Sequence, residues 1–447
     1  MANFDNLVQG EQARLFPVVA ETSKENRIAS LFLALLPLLP ELSKTLFQTI
    51  GIRSGTRTKI ECFTEIVFDT DSEKTNRPDG LITVASGKKQ WSALVEFKIG
   101  KAELEKKQVE RYLQLARDNA IDAVITISNQ FVARADHPPV IVNKQLLKKV
   151  DLFHWSWMSV FTAARLLQLA AVESDKEQKY LLDEFIRFLG HKSTGISGFD
   201  QMNKGWRDVV GAAKTGGLLV RSSPEVEATV AGWLEEQRDL CLLLSRVVGK
   251  AVNQKIEAKY VQDANLRLKD ETARFCDSKS LSGIFQVPDA AASIYVGADL
   301  ERRTIDVSMT LKAPTDRVST KARVNWLLRM LRSDDERLIL RAHWPSRVGY
   351  TQESIQKLRE NPELIQTQNT KLAPHSFDII LVEPLASRFS GPRTFIEDLE
   401  RIVPDFYTLV GQHLKAWQAK APKPVAQAQD LSASEEPENI LKLKNPI

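Results

Sequence analysis

Short apolar runs separated by helical stretches are the feature that most constrains the fold of the first 190 residues. Each run is rich in β-branched or aromatic residues, as is typical of a strand. The predicted strands are Ile60–Phe68, Gly80–Ala85, Trp91–Ile99, Ala123–Ser128 and Val150–Trp155, and the predicted helices are Ser23–Gly51, Glu103–Asn119 and the region Trp157–Gly190. Strands alternating with helices favour an α/β fold with a mixed central sheet flanked by helices.

The rest of the chain predicts a second domain, since 447 residues exceed one ordinary domain. Six glycines and fading hydrophobic periodicity predict a linker at 191–222. A long amphipathic helix at Pro224–Gln262, followed by further strand and helix patterns, predicts an α+β domain at 223–420. The tail at 421–447 has few large apolar residues and is predicted to be disordered.

Composition excludes several classes of protein. The chain is 43% hydrophobic and 26% charged, which is typical of a folded soluble protein. No apolar stretch approaches the roughly 20 residues needed to span a membrane. Three cysteines, far apart in sequence, suit neither a disulfide scaffold nor a zinc site. The N-terminus lacks an export pattern, so a cytoplasmic location without a membrane partner is expected.

Charge is unevenly distributed along the chain. The net charge of +4 does not by itself indicate a polyanionic partner. Residues 301–350, however, contain nine Arg and two Lys against six acidic residues. Such a stretch can contact phosphates or form an ordinary solvated surface, and both interpretations stay open.

Two charged residues interrupt an apolar strand. Glu96 and Lys98 are two residues apart, so they share one face of the strand, opposite Val95 and Phe97. Burying charge is costly unless the groups are paired or bind a metal. Asp79, at the start of the preceding strand, converges on Glu96 if the two strands form an antiparallel hairpin. Two carboxylates and one amine are therefore predicted to share a site.

This set of groups suits phosphodiester hydrolysis. Hard ions such as Mg²⁺ are usually held by one or two carboxylates together with water and substrate phosphate. Such an ion can polarise a phosphodiester and lower the pKa of an attacking water. Lys98 could position that water or stabilise developing charge.

The pattern Pro78-Asp79, sixteen residues, Glu96-Phe97-Lys98 resembles the PD-(D/E)XK nuclease superfamily, whose fold is that of restriction endonucleases. Gln108 and Tyr112, four apart on one face of the next predicted helix, resemble the Gln-x-x-x-Tyr motif of its RecB-like branch. The resemblance covers roughly the first 190 residues.

The resemblance implies a nuclease dependent on Mg²⁺ or Mn²⁺, with Asp79 and Glu96 as metal ligands. Lys98 would be the catalytic base or the charge stabiliser, and Gln108 and Tyr112 would be supporting or DNA-facing residues. The implied partner is nucleic acid, with DNA favoured over RNA. A homodimer is a further expectation, because cutting both strands needs two sites.

Two residues compete to be the additional acid that many superfamily members take from the first helix. Glu25 opens the first predicted helix, although Thr22-x-x-Glu25 is also a capping box. Glu65, on the strand before Asp79, is the other candidate for that metal ligand. The alternative for the whole pattern is a solvent-facing ion pair of Glu96 and Lys98, with Gln108 on the helix surface and Tyr112 in the core.

Three functions follow as hypotheses. The first is a nuclease, with restriction or anti-phage defence as its role by analogy. The second is a nucleic-acid-binding protein on a nuclease fold that does not cut. The third is a stress-response protein whose second half binds a ligand or partner, which predicts an apolar concave pocket there.

Overall fold

The computed structural model describes residues 7–16, 24–55, 57–69, 77–132, 134–172, 175–345 and 348–418. The predicted disordered tail at 421–447 lies outside these ranges. Within them the protein is a mixed α/β structure built on two sheets.

The first sheet has six strands in sequential order. Strands β1 to β4 are antiparallel, whereas β4, β5 and β6 are parallel, so the predicted mixed central sheet is confirmed. Its strands are β1 (Leu7–Gln12), β2 (Lys59–Phe68), β3 (Gly80–Ser86), β4 (Lys89–Phe97), β5 (Ala123–Ser128) and β6 (Asp151–Ser156). Strand β1 has few apolar residues and was not predicted; it is formed by pairing with β2 at the edge of the sheet.

Helices cover both faces of this sheet. They are α1 (Lys24–Leu38), α2 (Pro40–Gln48), α3 (Lys106–Asp118), α4 (Trp157–Leu169) and α5 (Lys176–Leu189). Helix α3 packs on one face, and the other four form the larger core on the opposite face. The single helix predicted at Ser23–Gly51 is two helices bent by 104°, because Pro40 occupies the first turn of α2, where its missing N–H is tolerated.

The second sheet has seven antiparallel strands in the order β12-β11-β13-β10-β9-β8-β7. These strands are β7 (Asn253–Gln254), β8 (Ser280–Gln286), β9 (Ile294–Asp299), β10 (Thr304–Lys312), β11 (Leu338–His343), β12 (Tyr350–Ser354) and β13 (Ser376–Pro384). The accompanying helices are α6 (Trp206–Lys214), α7 (Pro224–Val248), α8 (Ala258–Gln262), α9 (Ala264–Ser278), α10 (Thr320–Leu328), α11 (Ile355–Glu360) and α12 (Pro392–Leu409). Burial alternates along β10, so one face of the sheet is buried and the other is open.

The Gly-rich segment at 191–222 differs from a bare linker. It contains helix α6, whose Trp206 is fully buried and donates from Nε1 to the carbonyl of Phe389 at 2.9 Å. Helix α7 ends at Val248 rather than Gln262, because Gly249 adopts the left-handed conformation (φ +72°) that closes a helix.

Helix α7 also joins the two halves of the molecule. Arg246 donates to the hydroxyl of Thr162 on α4 at 2.7 Å, and Arg238 donates to the carbonyl of Phe131 at 3.1 Å. Across the described ranges, no single helix is long and apolar enough to cross a membrane; α1 and α2 reach that length and composition only as a bent pair.

Candidate active site

The β3–β4 hairpin brings the two predicted carboxylates together. Ser86 pairs with Lys89 across a tight turn, and Gly87 takes a φ of +61° that favours glycine. Asp79 lies immediately before β3, and its Oδ2 accepts a hydrogen bond from the backbone N–H of Phe97 at 2.8 Å. That bond holds the Asp79 carboxylate beside the end of β4, next to Glu96.

Glu96 lies on a central strand, between β3 and β5, and is 1% exposed. Its Oε1 is 2.5 Å from Lys98 Nζ, so the two charges lie side by side as the strand spacing predicts. Lys98 follows the last residue of β4. Its N–H donates to Ile127 and its carbonyl accepts from the Trp157 indole, so its backbone is fixed on both sides.

Gln108 and Tyr112 on α3 face this site. Gln108 Nε2 donates to Glu96 Oε1 at 2.7 Å and to Tyr112 Oη at 3.2 Å. Tyr112 Oη in turn donates to the carbonyl of Arg77 at 3.1 Å, just before Asp79. Gln108 is therefore a partner of Glu96 rather than a surface residue, and Tyr112 is buried but hydrogen-bonded into the site.

The two candidates for the third acid occupy different places. Glu25 is in the first turn of α1, and its Oε1 lies 3.3 Å from Lys98 Nζ. Glu65 is exposed and has a left-handed backbone (φ +54°) at an irregularity in the β1–β2 pairing. Thr22, the other half of the proposed capping box, is outside the described residues. Only Glu25 of the two contacts the Glu96–Lys98 pair.

The electrostatics of the site follow from burial and from excess negative charge. Burial, then the charge of Glu96, raises the pKa of Asp79 well above its usual range, against the hydrogen bond from Phe97. Burial also raises the pKa of Glu96, although Lys98 opposes it. For Lys98, burial disfavours the ammonium, but the hydrogen bond and charge of Glu96 outweigh it and raise the pKa.

The carboxylates fit a hard cation. Glu96 Oε2 is buried and has no hydrogen-bond partner among the described residues, whereas Oε1 has two. A buried, unpartnered carboxylate oxygen is the kind of atom that binds a metal ion. Glu25, Asp79 and Glu96 do not form a group with all ligand atoms within 4.8 Å, so a subset of them would hold an ion here.

A cleft of about 580 Å³ reaches the site at Asp79. Arg14 and Arg77 lie in its walls together with Glu65, so both charge signs line the approach.

Two arginines of the stretch at 301–350 are engaged within the protein. Arg337 pairs with Asp335 and Glu383, and Arg323 donates to the carbonyls of Arg317 and Pro374. These contacts favour a structural role for the two arginines over phosphate contact.

An acidic cluster in the second half was not predicted. Glu236, Asp239 and Glu400 come together there, although Glu400 is distant from the other two in sequence. The available signal was on α7, where Glu236 falls on the apolar stripe of Trp233, Leu240 and Leu244.

No family model, no curated protein and no solved structure matches this chain.

Proposed function

We propose that the N-terminal half is a metal-dependent nuclease that hydrolyses phosphodiester bonds in nucleic acid, with DNA favoured over RNA. The observation that carries the proposal is the convergence of Asp79, Glu96 and Lys98 at one hairpin, where Glu96 Oε2 has no hydrogen-bond partner in the described part of the chain. The resemblance to the PD-(D/E)XK pattern, including Gln108 and Tyr112, supports the same reaction. Restriction or anti-phage defence is its role by analogy alone.

Each residue then has a defined part. Asp79 and Glu96 would hold Mg²⁺ or Mn²⁺, with Glu25 as an accessory acid against Lys98, and the ion would supply Lewis acidity toward the phosphate oxygens. The raised pKa of Lys98 keeps it an ammonium at neutral pH, which favours charge stabilisation over the role of base. Gln108 is a positioning residue, because it holds Glu96 Oε1 and leaves Oε2 for the ion. Overall, water adds across one P–O bond, giving a phosphate and a free hydroxyl.

The test is cleavage of plasmid, linear duplex, single-stranded DNA and RNA by the full chain, in Mg²⁺, Mn²⁺ or EDTA. We expect Asp79→Asn, Glu96→Gln and Lys98→Ala each to lower the rate at least 100-fold, because each removes a metal ligand or a stabilising charge. Glu41→Gln is the control, since Glu41 pairs with Lys44 on α2 and is not among the residues that line the cleft, and it should cut at the wild-type rate. Undiminished cleavage by any of the three site variants would refute the assignment.

The cleavage assay, combined with a measurement of DNA affinity, distinguishes the nuclease from the non-cleaving alternative. A protein that binds DNA with equal affinity in Mg²⁺ and EDTA, and leaves every substrate intact, would be the binder. For the stress-response alternative, two concavities matter. The 660 Å³ concavity on the open face of the second sheet is lined by charged groups including Arg302, Asp306 and Arg341. A 370 Å³ pocket beside α7 has a mostly apolar lining, as that alternative predicts.

A further inference from the structure

Three carboxylates meet inside the second half, far along the chain from the nuclease-like site. Glu236 and Asp239 lie one turn apart on α7, and Glu400 comes from α12, which packs against α7. One ligand oxygen from each lies within 4.8 Å of the others. Glu236 is 0% exposed and Asp239 is 1% exposed, whereas Glu400 is half-buried.

Three carboxylate oxygens of this cluster lack a donor among the described residues. Both oxygens of Glu236, and Oδ1 of Asp239, are buried and have no hydrogen-bond partner among the described residues. An unpaired buried carboxylate is one of the costliest arrangements in a folded protein. Burial and the charges of Asp239 and Glu400 accordingly raise the pKa of Glu236 well above its usual range.

The surrounding backbone is shaped to this cluster. Asp239 Oδ2 accepts from the N–H of Phe199 at 2.7 Å. A Cβ at Gly198 would lie 2.1 Å from that same oxygen, so a side chain there would require the Asp239 carboxylate to move. The segment that follows the N-terminal half therefore holds the Asp239 carboxylate through one of its oxygens.

The charge balance indicates a divalent ion. Arg246 is the basic residue whose charge acts on both Asp239 and Glu400, but its guanidinium donates to Thr162 and makes no ion pair with either acid within the described ranges. Three carboxylates and one guanidinium leave a formal charge of −2. A donor set made only of carboxylate oxygens selects hard ions over zinc.

We propose that Glu236, Asp239 and Glu400 bind one hard divalent cation, of the Mg²⁺, Mn²⁺ or Ca²⁺ class. The ion would link α7 to α12 beside Phe199, in the segment that follows the N-terminal half. This site is separate from the Asp79–Glu96 site and has a structural role.

The experiment is done on the full chain carrying Glu96→Gln, which weakens metal binding at the nuclease-like site. Bound Mn²⁺ is counted after dialysis, and melting temperatures are measured with Mg²⁺, Mn²⁺ or Ca²⁺ against EDTA. Glu236→Gln is then added to this Glu96→Gln chain, because it keeps the shape of the Glu236 side chain and removes the charge of one ligand. Its matched control is Glu235→Gln, one residue earlier on α7, where the acid faces Arg238 and Glu103 instead.

We expect metal to raise the melting temperature of the Glu96→Gln protein. The Glu96→Gln protein that also carries Glu235→Gln should show the same rise. Glu236→Gln should lose the rise and bind about one Mn²⁺ per chain fewer than Glu235→Gln. Equal Mn²⁺ counts, or equal melting temperatures with metal and EDTA in the Glu96→Gln protein, would overturn the site and leave Glu236 as a protonated acid. Circular dichroism at low temperature verifies that each variant is folded. The result is independent of DNA cleavage, so the two proposals can fail separately.

Discussion

The two oxygens of Glu96 have different environments. Oε1 accepts from Lys98 and Gln108, whereas Oε2 is buried and has no partner among the residues that the structure describes. An ordinary surface ion pair would show both oxygens in solvent, so this asymmetry favours a ligand role over a simple salt bridge. Lys98 and Gln108 both donate to Oε1, and Gln108 is itself held by its hydrogen bond to Tyr112.

Replacing Gln108 with Ala should impair the nuclease through Glu96. Loss of a donor that orients a metal ligand typically costs 10–100-fold in activity or metal affinity. We expect the concentration of Mn²⁺ giving half-maximal cleavage to rise by about that factor, with partial recovery in Gln108→Asn. Gln114→Ala is the control, because Gln114 lies on the same helix and contacts Asp118. An unchanged Mn²⁺ requirement in Gln108→Ala would contradict the positioning role.

His154 should make stability depend on pH. Its ring is buried between Thr126 and the carbonyl of Gln130, and burial lowers its pKa to about 4. A depressed pKa means that the neutral ring stabilises the fold above pH 6.5, and that this contribution is lost as pH falls toward 4.

Urea unfolding between pH 7 and 4.5 measures this contribution. The shift in pKa corresponds to roughly 3 kcal/mol at most. We expect His154→Gln to lose less free energy of unfolding over that interval than wild type. Parallel pH profiles for the two proteins would show that His154 does not titrate in this way.

At the scale of elements, local sequence predicted the central strands better than it predicted helix ends and the edge strand β1. The β3–β4 hairpin was predictable from two alternating runs and a Ser-Gly turn, and its register follows that turn. Strand β1 has few apolar residues and forms because it pairs with β2 at the edge of the sheet. Helix α6 does carry a local signal, because Trp206, Val209, Val210 and Ala213 are at helical spacing, but the surrounding glycines favoured a linker.

Trp206→Ala tests whether α6 belongs to the second core. Trp206 is fully buried, and the centroid of its ring lies 4.6 Å from the centroid of the Phe395 ring. Removing a buried Trp typically costs about 3–5 kcal/mol. Urea denaturation should show a loss of that size, whereas exposed Arg207→Ala should change little. A loss below about 1 kcal/mol in Trp206→Ala would indicate a linker with dispensable packing.

At the scale of the whole molecule, α7 connects the two halves through polar contacts. Arg246 is largely buried and reaches Thr162 on α4. A buried hydrogen bond to a charged group contributes about 1.5–3 kcal/mol. This helix also carries the acidic cluster on its side toward α12.

Thr162→Val should therefore weaken the junction between the halves. The substitution keeps the size of the side chain and leaves the guanidinium without its acceptor, so we expect a loss of about 1.5–3 kcal/mol in the free energy of unfolding. Chemical denaturation of the full chain measures the loss. Thr408→Val, at an exposed position on α12, is the control. Equal stability of Thr162→Val and wild type would show that this bond does not hold the junction.

The sequence by itself determined the alternation of strands and helices, and the strand spacing that places Glu96 beside Lys98. It also placed Gln108 and Tyr112 on one helix face. These relations are local, because strand and helix periods fix which side chains share a face. The contact of Glu25 rather than Glu65 with Lys98, and the meeting of Glu236 and Asp239 with Glu400, were decided only by tertiary structure. They join residues distant in the chain, and it is the packing of helices and sheets that sets such distances.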